Sequence, residues 1–190
     1  EKIKKICKKY KLKFIIDAAC ALGSFYNKKS LTKYADIVIY SLNGNKSITS
    51  GGGGVLSTDS KKIYKEAFLL ANNGKIKNGY EYKLFGHNFR ITNLHAALGI
   101  AQLKKFKEIK NKKKKIQNLY LKKIINKKTI FLPKKLDLKY NLWINFIVLS
   151  NSIAAKKIIK ILKKNKINSN FFWKPIHLQS FTKKILVEDM

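Results

Sequence analysis

Apolar residues at positions 3, 6, 7 and 10 recur with the spacing of one helix face, so the pattern predicts a first helix over Ile3 to Tyr10. The period then changes. Lys13-Phe-Ile-Ile-Asp17 is a short apolar run closed by a carboxylate, which predicts a buried strand. Asp36-Ile-Val-Ile-Tyr-Ser41 predicts a second strand of the same kind, and Gly54-Val-Leu-Ser-Thr58 a third, following a glycine cluster. Ser60 to Asn72 carries apolar residues at 63, 67 and 70 and reads as a helix capped by Asp59. The Asn72-Asn-Gly74 turn ends it. One long helix is expected from Thr92 to Ile125, on apolar positions 94, 98, 103, 106 and 109. Pro133 breaks the pattern, after which Asn145-Phe-Ile-Val-Leu149 predicts a strand and Ser152 to Lys164 a helix with Ser152 as its cap. Strands alternating with helices predict an α/β fold. Its boundary is expected near residue 126, separating a larger piece, 1–126, from a smaller α/β piece, 127–190. There are no internal repeats.

Composition narrows the class. In 190 residues, 45% are hydrophobic and 12% aromatic, which excludes a disordered basic tail. No apolar run approaches the roughly 18 residues needed to span a bilayer. The amino-terminal EKIKKICKKY is amphipathic and lysine-rich, unlike a signal peptide, and the absence of an initiator Met suggests a fragment or a processed chain. Cys7 and Cys20 form no CxxC, and His87, His95 and His177 lie far apart. Neither a zinc site nor a disulfide framework is expected, and a cytosolic address is the default.

The net charge of +32 raises the possibility of a nucleic-acid binder, since lysines neutralise phosphates. Yet Arg90 is the only arginine, and arginine is the residue that grips phosphates and guanine edges bidentately. Lys, Asn and Ile crowd together, as in Lys122-Lys-Ile-Ile-Asn-Lys-Lys128, and share AT-rich codons. Drifted surface lysines account for the charge better than selection for nucleic acid.

Two strand ends carry chemistry. Asp17 closes one and Ser41 the other, and ligands of open α/β sheets gather at the carboxyl ends of strands. Just beyond Ser41 lie Asn43-Gly-Asn-Lys46 and Ser50-Gly-Gly-Gly-Gly54. A lysine close after a phosphate-binding hydroxyl, flanked by glycines that let backbone approach a ligand, suits an anchored cofactor. Each part alone is an ordinary loop feature. Their combination with a strand-end Asp is more specific.

Five segments then resemble, in colinear order, the DegT/StrS-type sugar aminotransferases. They are Asp17-Ala-Ala-Cys-Ala-Leu-Gly-Ser-Phe-Tyr26, Ser41 to Lys46, Gly51 to Gly54, Gly86-His-Asn-Phe-Arg-Ile-Thr-Asn-Leu-His-Ala-Ala-Leu-Gly99, and Phe172-Trp-Lys-Pro-Ile-His-Leu-Gln179. The resemblance implies a fold type I, pyridoxal 5'-phosphate-dependent enzyme. Residues 1–126 would be part of its large domain, with the amino-terminal half absent, and 127–190 part of its small carboxy-terminal domain. It implies that Lys46 binds the cofactor covalently and shuttles a proton, that Asp17 pairs with the pyridine nitrogen, and that Ser41 donates to the phosphate. Cys20 would contact the ring, at a position where the family commonly has Gln or Glu. Asn88 would reach the phosphate of the partner subunit in a homodimer. Trp173 and His177 fall in the substrate-loop segment, where Asn170 stands in place of a usual arginine. The reaction implied is transfer of an amino group from glutamate to a keto group of a nucleotide-linked 6-deoxy sugar, for surface polysaccharide or glycan synthesis. The Asn-Gly-Asn-Lys and four-glycine pattern is most similar to the bacillosamine- and legionaminic-type branch acting at C4. Related sugar dehydratases replace the lysine by histidine, and Lys46 speaks against that activity. An inert truncated remnant and a lysine-rich nucleic-acid-binding protein are the competing readings.

Overall fold

The three amino-terminal apolar runs are strands in the computed structural model, which describes residues 1–76, 80–124, 138–139, 144, 147–149 and 152–182. Helix α1 (Lys2–Lys9) leads into β1 (Ile15–Asp17). A hairpin that the pattern did not predict comes next, β2 (Phe25–Tyr26) and β3 (Lys29–Ser30). Its two turn residues, Asn27 and Lys28, have φ of 45° and 61°, the left-handed pair that tight hairpins use. There follow β4 (Ile37–Ser41), β5 (Gly54–Ser57) and α2 (Lys61–Ala71), then α3 (Asn93–Lys104) and α4 (Phe106–Lys123). The last described elements are β6 (Leu138–Lys139) and α5 (Ser152–Lys164).

Strands β1 and β4 pair in parallel, with Asp17 opposite Ile39. Strand β5 returns antiparallel to β4, with Ser41 opposite Gly54. The sheet order is β1-β4-β5, and a second small sheet runs β3-β2-β6. Parallel pairing carries the carboxyl ends of β1 and β4 to one edge, so the topology itself brings Asp17 and Ser41 to the same end of the sheet. Among the described residues the buried apolar set is Ala18, Tyr34, Val38, Leu42 and Ile48. Three of these five immediately or closely follow Asp17, Ser41 and Lys46, so the core anchors the loops that carry the polar groups.

Several expectations need correction. Strand β1 is not buried: it occupies an end of the described sheet, with Ile15 57% exposed. The cap of α2 is Ser60, whose Oγ accepts from the Ile63 N–H at 3.3 Å. Asp59 instead meets the Lys33 ammonium at 2.9 Å. The single long helix is two helices, interrupted at Lys105. Neither glycine nor proline sits at that break. The interruption accompanies a tertiary contact, in which the Phe106 ring packs over Gly23. Ser152 is the first residue of α5. Of the strand expected at 145–149, Val148 makes a β-bridge, while 145–146 and Pro133 lie outside the described residues.

The described residues divide between two compact units. The first takes in 1–76 and 80–122 together with Ile144 and β6, which pairs with β2 although it lies beyond the expected boundary at 126. The second takes in 123–124, 147–149 and 152–182. Among the described residues, no helix is long and apolar enough to cross a membrane.

Candidate active site

The end of β1 continues as one more step of sheet: the Ala18 N–H donates to the Ile39 carbonyl at 2.8 Å. Asp17 therefore stops where β4 still holds the backbone. Its Oδ1 accepts from the Ala19 N–H at 2.9 Å, which shapes the turn leading to Cys20. Asp17 itself is exposed, so the burial expected of an acid after Phe-Ile-Ile is absent. Ser41 ends β4 half-buried, and its Oγ accepts from the Asn43 N–H at 3.3 Å. As an acceptor there, the hydroxyl keeps its proton available for a ligand. On the same strand, burial raises the Tyr40 phenol above its ordinary value, so that group stays neutral.

The loop from Ser41 to Gly54 is held from inside. Leu42 and Ile48 are buried and Ser50 is fully buried. The Ser50 N–H donates to the Leu42 carbonyl at 3.0 Å, the Leu42 N–H donates to the Gly53 carbonyl at 3.0 Å, and Thr49 Oγ1 donates to the Leu42 carbonyl at 3.1 Å. Within this frame the Lys46 N–H donates to the Asn43 carbonyl at 3.0 Å, a turn that raises the half-buried Lys46 side chain. Its ammonium donates to Cys20 Sγ at 3.2 Å. Asp17, Cys20, Ser41 and Lys46 are thus gathered at one end of the β1–β4 pair.

The glycine run does something other than expected. A Cβ on Gly51 would meet the His95 ring at 3.3 Å, one on Gly53 would meet Ile91 at 3.3 Å, and one on Gly54 would meet the Tyr40 carbonyl oxygen at 2.7 Å. Three of the four glycines therefore admit neighbouring protein, not a ligand, while Gly52 and the earlier Gly44 face open space. His95 is explained by the same packing. Its Nδ1 lies 2.8 Å from Thr92 Oγ1, and the Thr92 hydroxyl also accepts from the His95 N–H as the cap of α3. Sequence reasoning missed Ser50 and Thr92 as supports of the lysine loop. The signal for Thr92 was its place just before a helix.

Asn88 is exposed, on a segment fastened to the end of α2. It bridges Asn72, the Asn73 N–H donates to the His87 carbonyl at 3.0 Å, and the Phe89 N–H donates to the Ala71 carbonyl at 3.0 Å. Trp173 and His177 belong to the second unit. Both are exposed, Trp173 beside Phe172 with ring centroids 5.1 Å apart and His177 in a short helical turn, Ile176–Leu178. Among the described residues, no group of His, Cys, Asp and Glu could hold a metal ion.

Comparison with known proteins bears directly on this cluster. A family model for the DegT/DnrJ/EryC1/StrS aminotransferases matches residues 1–188. The chain belongs to that family. It is 33% identical over 181 residues to EpsN of Bacillus subtilis, named as a pyridoxal phosphate-dependent aminotransferase, covering 94% of this chain and 47% of that protein. It is 30% identical over 185 residues to the GDP-perosamine synthase of Vibrio cholerae, covering 93% of this chain and 49% of that one. Among solved structures, Helicobacter pylori PseC, an aminotransferase involved in the biosynthesis of pseudoaminic acid, superposes with a TM-score of 0.84 at 27% identity. That match covers 96% of this chain and 51% of PseC. The fold is therefore that of the fold type I pyridoxal phosphate aminotransferases, and the chain spans about half the length of the curated relatives it matches. Aminotransferases of the DegT/DnrJ/EryC1/StrS family depend on pyridoxal phosphate.

Proposed function

We propose that this chain supplies the lysine-bearing part of a pyridoxal 5'-phosphate-dependent sugar aminotransferase. The observation that carries the reading is the meeting of the Lys46 amine with the Asp17–Cys20 turn at the strand ends, in a chain of this family. The donor set suits the cofactor. Asp17 offers an exposed carboxylate to a protonated ring nitrogen, Ser41 a hydroxyl proton to a phosphate, and Lys46 a primary amine to an aldehyde. When bound, pyridoxal phosphate supplies an electron sink for the carbon that loses its proton.

The residues would act as follows. Asp17 keeps the ring nitrogen protonated, and Ser41 fixes the phosphate end. Lys46 would hold the cofactor through its amine and, when free of it, would serve as the base that moves the substrate proton. Cys20, beside the Lys46 amine, would contact the ring. Asn88, exposed on its own segment, reaches the phosphate of a partner subunit in a homodimer, and Trp173 and His177 contact the sugar substrate. The amino donor is glutamate, and the acceptor is the C4 keto group of a nucleotide-linked 6-deoxy sugar. Perosamine synthases and PseC among the relatives support an amino-sugar product.

Borohydride reduction of the full-length protein with pyridoxal phosphate tests the assignment. The pyridoxyl group should appear on the peptide containing Asn45 and Lys46. Label on other lysines alone would overturn the role of Lys46.

A further inference from the structure

We propose that Cys20 and Lys46 form a reversible sulfur–nitrogen cross-link when a peroxide reaches the site. The two side chains come from different loops, one after β1 and one after β4, yet Nζ and Sγ lie 3.2 Å apart. Both are half-buried, so small peroxides can enter while the pair stays together. The inference rests on this geometry and does not require that Lys46 carry a cofactor.

The chemistry balances with hydrogen peroxide as oxidant. The Cys20 thiolate attacks one peroxide oxygen, the O–O bond breaks, and the other oxygen leaves as water after taking a proton. Sulfur is oxidised by two electrons to the sulfenic acid and the peroxide is reduced. The Lys46 amine, in its neutral form, then attacks the sulfenic sulfur. The S–N bond forms, the S–O bond breaks, and the departing hydroxide takes the nitrogen's proton to become a second water. One thiol, one amine and one peroxide give one S–N link and two waters. Contact distance gives Lys46 a high effective concentration over any competing nucleophile in solution. A thiol reductant reverses the link by attacking sulfur, which releases the amine, and a second thiol then frees Cys20. While the link exists, the two loops at the strand ends are tied and the Lys46 amine is withdrawn from other chemistry.

The test uses the full-length protein carrying Cys7→Ser, which removes the other thiol of this chain, freed of cofactor and treated with hydrogen peroxide. Mass spectrometry should show a product about 2 Da lighter than the reduced protein, with the peptide holding Cys20 joined to that holding Lys46. Dithiothreitol should restore the starting mass. With Lys46→Ala, or Lys46→Arg if the alanine variant does not fold, the lighter product should vanish. Cys20 should then advance to the sulfinic acid, about 32 Da heavier and not restored by dithiothreitol. Oxygen accumulating on Cys20 without a link while Lys46 is present would overturn the proposal, as would a link to a different lysine. Prior loading with pyridoxal phosphate should suppress the link. If the link forms freely but loading leaves it unchanged, the cross-link stands and the cofactor role of Lys46 falls.

Discussion

Three candidate residues of the strand-end cluster have a buried neighbour in sequence: Ala18 beside Asp17, Leu42 beside Ser41, and Ile48 two positions after Lys46. Burying the neighbour fixes the backbone while the polar side chain stays at the surface of the sheet edge. In the sequence, the strand-end rule points to Asp17 and Ser41, and Lys46 stands out by its place just after Ser41 among the glycines. Exposure was not legible, because Phe-Ile-Ile before Asp17 reads as buried while β1 lies at an end of the described sheet. The contact between Cys20 and Lys46 was not legible either, since it depends on how two loops close. For Asp17 two roles compete, partner of the ring nitrogen or acceptor for the Ala19 turn alone. Asp17→Asn in the full-length enzyme should still allow labelling at Lys46 but slow amino transfer by orders of magnitude, because the carbanion loses its sink. Turnover close to that of the unmodified enzyme would leave Asp17 with the turn only.

At the level of elements, periodicity found α1, α2 and α5 within a residue or two and failed where tertiary contact decides. Helix α3 shows why. Leu94 and Leu98 lie on one side and Ile100 and Leu103 on the other, so no single apolar stripe marks where it ends. The break before α4 is tied instead to the Phe106 ring over Gly23, together with the Lys110 ammonium donating to the Gly23 carbonyl at 3.2 Å. Gly23 has a φ of 76°, and a Cβ there would fall 2.5 Å from the Phe106 ring. Gly23→Ala thus combines a left-handed backbone with a clash. A loss of about 1–3 kcal/mol is expected in urea unfolding of the full-length protein. An unchanged midpoint and slope would show that neither contact fixes α4. The β2–β3 hairpin was missed because two-residue strands carry no alternation, and only Asn27 hinted at its turn.

Over the whole chain the charge is uneven in a way that favours a folded enzyme over a lysine-coated binder. The protein carries 42 Lys and Arg, yet residues 37–58 contain one charged residue, Lys46, and residues 84–103 contain one, Arg90. These two stretches touch, through Gly51 against His95, Gly53 against Ile91 and Gly99 against Ser50. Lysine has spread where side chains meet water and has stayed out of the segments that build and back the lysine loop. The exception, Lys46, is the residue on which the proposed function turns. The most direct test is to add glutamate alone to the full-length protein loaded with pyridoxal phosphate and to measure 2-oxoglutarate. About one equivalent should be released per Lys46-bound cofactor, with none from Lys46→Ala and continued release only when a nucleotide-linked keto sugar is added. Cofactor bound at Lys46 with no 2-oxoglutarate released would contradict the account.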